Sequence, residues 1–184
     1  MADTMSTSRI VATAAAASLL CAAAAHAQGS SSNAPARNRQ TADLVQRIDD
    51  RASIERLLVE YGRTLDARDF KGYSELFAKD GVWSGGMGTV QGPAAIQAFM
   101  EKAIPGPNTA HNFHILSNFA IDVNGDTATA WSRWTFMVPG PNNTAVAAQS
   151  GRYDDTLVRE DGRWKFKRRV ASNDIPAAGP APKP

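Results

Sequence analysis

Cysteine and histidine are scarce in this sequence, and long runs of like charge are missing. The 184 residues contain one cysteine and three histidines, and 20 Lys+Arg stand against 18 Asp+Glu, for a formal charge of +2. The interspersed charges form no basic stripe for a nucleic-acid backbone. Intramolecular disulfides and multi-cysteine metal sites need more than one cysteine, so both are excluded. We therefore expect a domain held together by its own hydrophobic core, with no nucleic-acid partner.

The first 27 residues have the pattern of a secretory signal peptide. Arg9 supplies a positive start, residues 10–25 form an apolar, alanine-rich run, and Ala25-His26-Ala27 is a small-x-small cleavage site. The alternative is a transmembrane anchor, but the run is shorter than the roughly 20 residues that a spanning helix needs. Cleavage also removes the single cysteine, Cys21. We expect an exported protein, periplasmic or secreted, with no membrane attachment after cleavage.

Two segments of biased composition flank the expected domain. Residues 28–42 are rich in Ser, Asn, Pro and Arg and predict a disordered spacer. Residues 175–184, rich in Pro and Ala, predict a mobile tail. Residues 43–174 then form one domain, which is long enough to bury about two thirds of its unfolded surface.

The spacing of apolar residues predicts three helices in the first part of this domain. Between Asp43 and about Ala67 they recur at helical spacing: Ile54, Leu57, Leu58, Tyr61 and Leu65. A short helix over about Phe70–Ala78 follows. Gly92-Pro93 opens a third helix over Ala94–Ala103.

Strand patterns replace helical ones in the second part. They cover four segments: Asn112–Val123, Thr127–Val138, Thr144–Val158 and Arg163–Ala171. Asn124-Gly125 and Asp161-Gly162 predict two-residue hairpin turns. Three helices followed by an antiparallel meander indicate an α+β fold, with helices covering one face of a curved sheet and a pocket where the two layers diverge.

Few titratable side chains have positions from which they can enter such a pocket. Asp66 lies on the flank of the first helical stripe, facing either the pocket or solvent, whereas Asp69 precedes Phe70, where an N-cap belongs. His111 and His114 open the first long strand, three residues apart and so on opposite faces. His114 enters a polar part of the cavity or is exposed. Two histidines so spaced make a poor zinc site, and we expect no metal.

Several stretches of the chain resemble the SnoaL-like branch of the NTF2-like superfamily. They include Y-G-R-T-L-D-A-R-D-F at 61–70, L-F-A-K-D-G-V-W at 76–83, H-N-F-H-I-L-S-N at 111–118 and G-R-W-K-F at 162–166. The resemblance runs from about Asp49 to Asp174. It implies a cone in which three helices pack on a curved antiparallel sheet and enclose a pocket. The superfamily holds enzymes and also proteins without a reaction.

Within this branch the spacing resembles a group of lyases: hexachlorocyclohexane dehydrochlorinase, scytalone dehydratase and bile-acid 7α-dehydratase. The resemblance implies that Asp66 and His114 form a catalytic pair and that Arg169 and Tyr61 assist them. Tyr61 stands where the dehydrochlorinase has a lysine and the bile-acid enzyme a tyrosine, which favours the alcohol-eliminating relatives. The second aspartate of the bile-acid enzyme falls near Met137, where this chain has no acid.

These residue types suit proton abstraction. An imidazole can take a proton from carbon, and a carboxylate behind it fixes the tautomer. Arg169 can stabilise a developing anion, and Tyr61 can donate a phenolic proton. Strand alternation sets Arg169 away from Phe166 and Arg168, so that either the strand bends or Arg168 takes its place.

The side chains expected to bind substrate are mainly aromatic: Trp83, Phe99, His111, Trp134 and Phe136. Trp131 falls on the strand face opposite Trp134, and the resemblance implies a homodimer or trimer. We expect an exported, cofactor-free lyase (a dehydratase or other elimination) or an isomerase that acts on a small hydrophobic cyclic molecule. The alternative is a non-catalytic NTF2-like protein that binds a small ligand or is purely structural. An epoxide hydrolase is a weaker third.

Export can be tested directly on the N-terminus. Expression in a bacterium with the native leader should yield a mature protein that begins at Gln28, because cleavage follows the small-x-small site. Intact-mass measurement and N-terminal sequencing would show this. Soluble cytoplasmic protein that retains residues 1–27 would contradict the expectation.

Overall fold

The computed structural model of the chain describes residues 34–175. The expected signal peptide, residues 28–33 of the expected spacer and residues 176–184 of the expected tail lie outside the described residues. The chain divides into two units within its first helix, between Gln46 and Arg47. In the first unit the described residues, Ala34–Gln46, are helical and exposed. The second unit contains the other described elements.

Helix α1 spans Ala34–Ala67, so it begins well before the expected Asp43. Disorder predicted for residues 34–42 is therefore wrong: Ala, Arg and Gln favour a helix even where nothing is buried. The predicted apolar stripe is confirmed, because its five members are buried: Ile54, Leu57, Leu58, Tyr61 and Leu65. No helix within residues 34–175 combines the length and apolar composition needed to cross a membrane.

Helix α2 is shorter than predicted and leads directly into a strand. It spans Phe70–Ser74, and the Asp69 carboxylate caps it by accepting the Gly72 N–H at 2.9 Å, as the sequence predicts. Strand β1 begins at Phe77 and ends at Gly85, so the prediction of helix up to Ala78 is wrong. The reason is long-range: the backbone around Phe77 pairs with the last strand, which competes with helix continuation.

A hairpin precedes the third helix. Strand β2, Gly88–Gln91, pairs antiparallel with β1 around the glycine-rich bend. Gly92 then has a φ of 82°, a conformation that glycine adopts without steric cost. Helix α3 follows over Pro93–Ala103, with proline in its first turn, as predicted.

The four predicted strands form the rest of a single sheet. They are β3 Phe113–Asn124, β4 Thr127–Pro139, β5 Ala145–Glu160 and β6 Arg163–Ile175. The strand order is β2-β1-β6-β5-β4-β3. Asp161-Gly162 forms a two-residue turn as predicted, whereas the loop between β3 and β4 consists of Gly125 and Asp126, one residue later than the predicted Asn124-Gly125. A second detail differs: β1 lies parallel to β6, so the sheet is mixed and not entirely antiparallel. The α+β architecture, with helices on a curved sheet, is confirmed.

Irregularities in strand pairing curve the sheet. Register shifts occur in the β3–β4, β4–β5 and β5–β6 pairs, and each extra residue bends its strand. In β6, Phe166 pairs with Leu157 and Arg168 with Thr156, which leaves Lys167 unpaired. This extra residue returns Arg169 to the face of Phe166. The bend is therefore the correct alternative, and Arg168 is exposed on the outer face.

Tyrosine hydroxyls meet in the core beneath α1. The ring centroid of Tyr61 lies 4.7 Å from that of Tyr73 and 5.4 Å from that of Tyr153. The Tyr73 O–H and the Trp83 Nε1–H donate to the Tyr61 oxygen at 2.8 and 3.1 Å. Burial raises the pKa of Tyr73 and of Tyr153 well above the ordinary value of 10.0. Both phenols therefore stay protonated in the folded protein.

The buried phenols predict alkaline destabilisation. Because the pKa of these phenols is higher in the folded protein than in the unfolded chain, their protonated state contributes to the free energy of unfolding. This contribution is complete below about pH 10 and is lost as pH rises above it, because only the unfolded chain ionises freely. We expect the melting temperature to fall above about pH 10, and to fall less in Tyr153→Phe. Circular dichroism melts measure the effect.

Tyrosinate absorbance provides the control. The difference in tyrosinate absorbance between wild type and Tyr153→Phe should appear only as the protein unfolds. If that difference titrates near pH 10 while the circular dichroism remains native, Tyr153 is not shielded as described.

Candidate functional site

A cavity of about 400 Å³ lies between the helices and the concave face of the sheet. Much of its wall is apolar: Leu65, Trp83, Met100, Ile104, Trp134 and Phe136. Hydroxyls of Tyr61, Tyr73 and Tyr153 and the imidazole of His114 add hydrogen-bonding groups. No carboxylate among the described residues lines it. The cavity has the mixture of apolar surface and few polar groups that is typical of small-molecule sites.

Asp66 and His114 meet at the edge of this cavity. The Nδ1 of His114 lies 2.6 Å from Oδ1 of Asp66, and the backbone N–H of His114 donates to Oδ2 at 2.8 Å. An ionised carboxylate only accepts, so this contact assigns the proton to Nδ1 and leaves Nε2 as the basic nitrogen. Both side chains are largely buried, with exposed fractions of 20% and 15%. His114 lines the cavity and Asp66 lies behind it.

Asn108 holds the segment before β3 against the end of α1. Its side-chain Nδ2–H groups donate to the carbonyls of Asp66 at 3.0 Å and of Asn112 at 2.6 Å. Its Oδ1 accepts the Asn112 N–H at 3.1 Å. Sequence analysis did not single out Asn108. The available signal was an asparagine in a turn-rich segment, where its side chain commonly bonds to backbone.

Two aromatic rings fix the orientation of the His114 imidazole. Its ring centroid lies 4.8 Å from that of Phe136 and 6.2 Å from that of Trp134. The Trp134 Nε1–H donates to the carbonyl of Arg152 at 3.2 Å. A Cβ on Gly151 would lie 2.6 Å from the Trp134 ring, so glycine is required for this indole to cross β5.

The predicted substrate-binding residues divide into two groups. Three of the five line the cavity: Trp83, Trp134 and Phe136. Phe99 does not, because it packs behind the wall with its ring centroid 5.5 Å from that of Trp83. His111 is also wrongly predicted: β3 begins only at Phe113, and His111 is exposed in the preceding turn with a φ of 53°. Strand alternation therefore does not apply to it.

Arg169 is buried beneath the cavity and is not part of its wall. Its Nε and Nη2 donate to the two oxygens of Asp155 at 2.8 and 2.6 Å. The guanidinium carbon lies 3.9 Å from the ring centroid of Tyr61 and 4.1 Å from that of Tyr153. Burial lowers the pKa of Arg169, but Asp155, Tyr61 and Tyr153 together raise it by more, so the guanidinium stays charged. The resemblance implies a direct role for Arg169 in the reaction. From this buried position its side chain does not reach a ligand in the cavity.

Sequence analysis also missed Asp155 and Tyr153 as parts of the site. Tyr153, Asp155 and Leu157 are every second residue of β5, so their side chains share one face of the strand. A carboxylate on a buried face needs a charged partner. That rule indicates from the sequence that Asp155 needs a charged partner. Arg169 can be identified as this partner only when the strand that neighbours β5 is known.

The described residues contain no group of three or more His, Cys, Asp or Glu side chains that could hold a metal ion. A cofactor-free protein stays a prediction from the sequence. On the outer face of the sheet, Phe113 and Ile115 are exposed, and Arg133 lies 5.5 Å from the Trp131 ring centroid. The expected homodimer or trimer also stays a prediction.

Comparison with known proteins identifies a family and a relative of this chain. The model of the SnoaL-like domain matches residues 46–170. The uncharacterized protein Rv2910c of Mycobacterium tuberculosis is 31% identical over 131 residues, which cover 68% of this chain and 86% of that protein.

Solved structures show the same fold. An NTF2-like protein with a cystatin-like fold from Novosphingobium aromaticivorans is 27% identical, with a TM-score of 0.65 over 73% of this chain and 88% of that one. Hexachlorocyclohexane dehydrochlorinase LinA type 2 is 19% identical, with a TM-score of 0.60 over 75% of this chain and 99% of that one, a likeness of fold. The chain therefore belongs to the SnoaL-like family of the NTF2-like superfamily.

Proposed function

We propose that this protein is an exported, cofactor-free lyase or isomerase that removes a proton from a small hydrophobic cyclic substrate. The observation that carries the proposal is the contact between Asp66 and His114 at the edge of a largely apolar cavity. In a neutral imidazole, this contact holds the proton on Nδ1 and leaves Nε2 as the basic nitrogen. The dehydrochlorinase that shares the fold gives an elimination reaction as precedent.

Proton abstraction by His114 begins the reaction. Nε2 takes a proton from carbon, and the electron pair of the broken C–H bond forms the new double bond. The imidazolium is stabilised by the Asp66 carboxylate, 2.6 Å from Nδ1. In a dehydration, the C–O bond breaks and the leaving hydroxide receives the proton to depart as water. In an isomerisation, the same proton returns to a different carbon.

Tyr61 is the donor for the substrate oxygen. Its hydroxyl oxygen accepts two hydrogen bonds, from Tyr73 and Trp83, while its ring lines the cavity. A phenol that accepts twice can still donate its own proton, and that proton can stabilise charge on a substrate oxygen. Burial of the surrounding groups strengthens this interaction.

Arg169 acts through the tyrosines and is therefore a positioning residue. Its charge lies against the rings of Tyr61 and Tyr153, held there by the two hydrogen bonds to Asp155. A planar guanidinium can stack on rings while it binds a carboxylate with two donors. Arg169 thereby orients the phenol of Tyr61 without itself touching the substrate.

The catalytic pair predicts large and non-additive losses. His114→Ala should reduce turnover by about 100-fold to 10,000-fold, because it removes the base. Asp66→Asn should also reduce turnover heavily, because its amide favours the wrong imidazole tautomer. The double variant should be no worse than the His114 variant, since both act on one proton transfer. Water elimination or double-bond shift in a panel of hydroxylated and carbonyl cyclic compounds, followed by mass spectrometry and ultraviolet absorbance, measures turnover.

Asp69→Asn is the matched control for the same chemical change. Asp69 is an N-cap outside the cavity, and asparagine caps equally well, so turnover should be retained. Full activity in His114→Ala, or losses that multiply in the double variant, would contradict the catalytic pair. Ligand binding without turnover across the panel would favour the non-catalytic binding protein.

Substitution of Arg169 tests a role exerted through other residues. Arg169→Lys keeps the charge but loses the two-donor geometry, so the melting temperature should fall, with a loss of about 1–3 kcal/mol in unfolding free energy. The value of kcat should fall while KM stays unchanged, because Arg169 does not line the cavity. Arg168→Lys, on the exposed outer face, is the control and should change neither. A change in KM alone would show that Arg169 touches the substrate.

A further inference from the structure

Arg68 occupies a backbone position where glycine is the usual residue. It follows the last residue of α1 and has a φ of 60°. Its N–H bonds to the carbonyl of Leu65 at 3.1 Å, and the N–H of Asp69 bonds to that of Thr64 at 2.9 Å. These two bonds define a helix C-terminus that favours glycine, because other residues are strained at positive φ. An arginine at this position points to a role for its side chain.

Arg68 is one of the residues that line the cavity, and most of the N–H donors of its guanidinium have no hydrogen-bond partner among the described residues. One Nη1–H donates to the carbonyl of Leu65 at 2.9 Å. No ion pair joins Arg68 to a carboxylate within residues 34–175. A guanidinium carries five N–H donors in a planar fork, so enough remain for a ligand.

The charge of the cavity wall favours an anion at this place. Of the described side chains that line the cavity, Arg68 is the only one with a permanent charge, and none is a carboxylate. The amide of Gln149 and the tyrosine hydroxyls add further donors. Apolar surroundings strengthen the attraction between a guanidinium and an anion. A planar carboxylate matches the fork with two parallel hydrogen bonds.

We propose that the ligand of this cavity is an amphiphilic carboxylate. Its ring system lies among Trp83, Trp134 and Phe136, and its carboxylate binds the guanidinium of Arg68. This inference rests on the proposed function, because it names the substrate class of the same site. It concerns binding alone and can be measured without turnover.

The experiment compares two probes of nearly the same size and shape, one a carboxylate and the other a neutral amide. Isothermal titration calorimetry would measure β-naphthoate and its neutral amide, β-naphthamide, against the full protein. We expect naphthoate to bind at least about tenfold more tightly, as a charge-assisted hydrogen bond provides. In Arg68→Gly this preference should vanish while naphthamide affinity is unchanged. The melting temperature of Arg68→Gly should be equal or higher, since glycine suits the backbone.

Two further variants make the result specific. Arg56→Ala removes the same charge from a part of α1 that does not line the cavity, and it should keep the preference. His114→Asn should keep the preference even though it loses turnover, which separates failure of this inference from failure of the proposed function. Equal affinities in the wild type, no binding of either probe, a preference that survives Arg68→Gly, or one lost in His114→Asn would each overturn the proposal.

Discussion

The site depends on one contact between the end of a helix and the start of a strand. A single carboxylate, that of Asp66, accepts both the backbone N–H and the ring Nδ1–H of His114. Two acceptors on one rigid group fix the strand register and the imidazole orientation together. Asn108 secures the same junction from the connecting segment. His114 thus lines the cavity as a consequence of how α1 meets β3.

Beneath the cavity, electrostatics and packing are combined in one unit. Burying a charged pair is costly unless its hydrogen bonds are well formed. Arg169 and Asp155 make two direct bonds, and aromatic rings stack on the guanidinium, while Nη1 of Arg169 has no hydrogen-bond partner among the described residues. The bulge at Lys167 makes the arrangement possible, since without it Arg169 would face outward. A core ion pair therefore supports Tyr61, which lines the cavity.

Features set by local spacing were predictable from the sequence. The apolar stripe of α1, the Asp69 cap and the Asp161-Gly162 turn follow from short-range rules, and they occur as predicted. Predictions for His111 and Phe99 were wrong because each depended on an element boundary or a packing layer. His111 lies outside β3, which begins at Phe113, so strand alternation does not place its side chain.

The sequence by itself determined the α+β class, the strand order along the chain and the resemblance that pairs Asp66 with His114. Only the tertiary structure decided that β1 lies parallel to β6, that Arg169 is buried with Asp155, and that Arg68 lines the cavity. The physical reason is range. Periodicity and turn chemistry act over a few residues, whereas a bulge, a buried ion pair and a cavity wall arise from residues far apart in the chain.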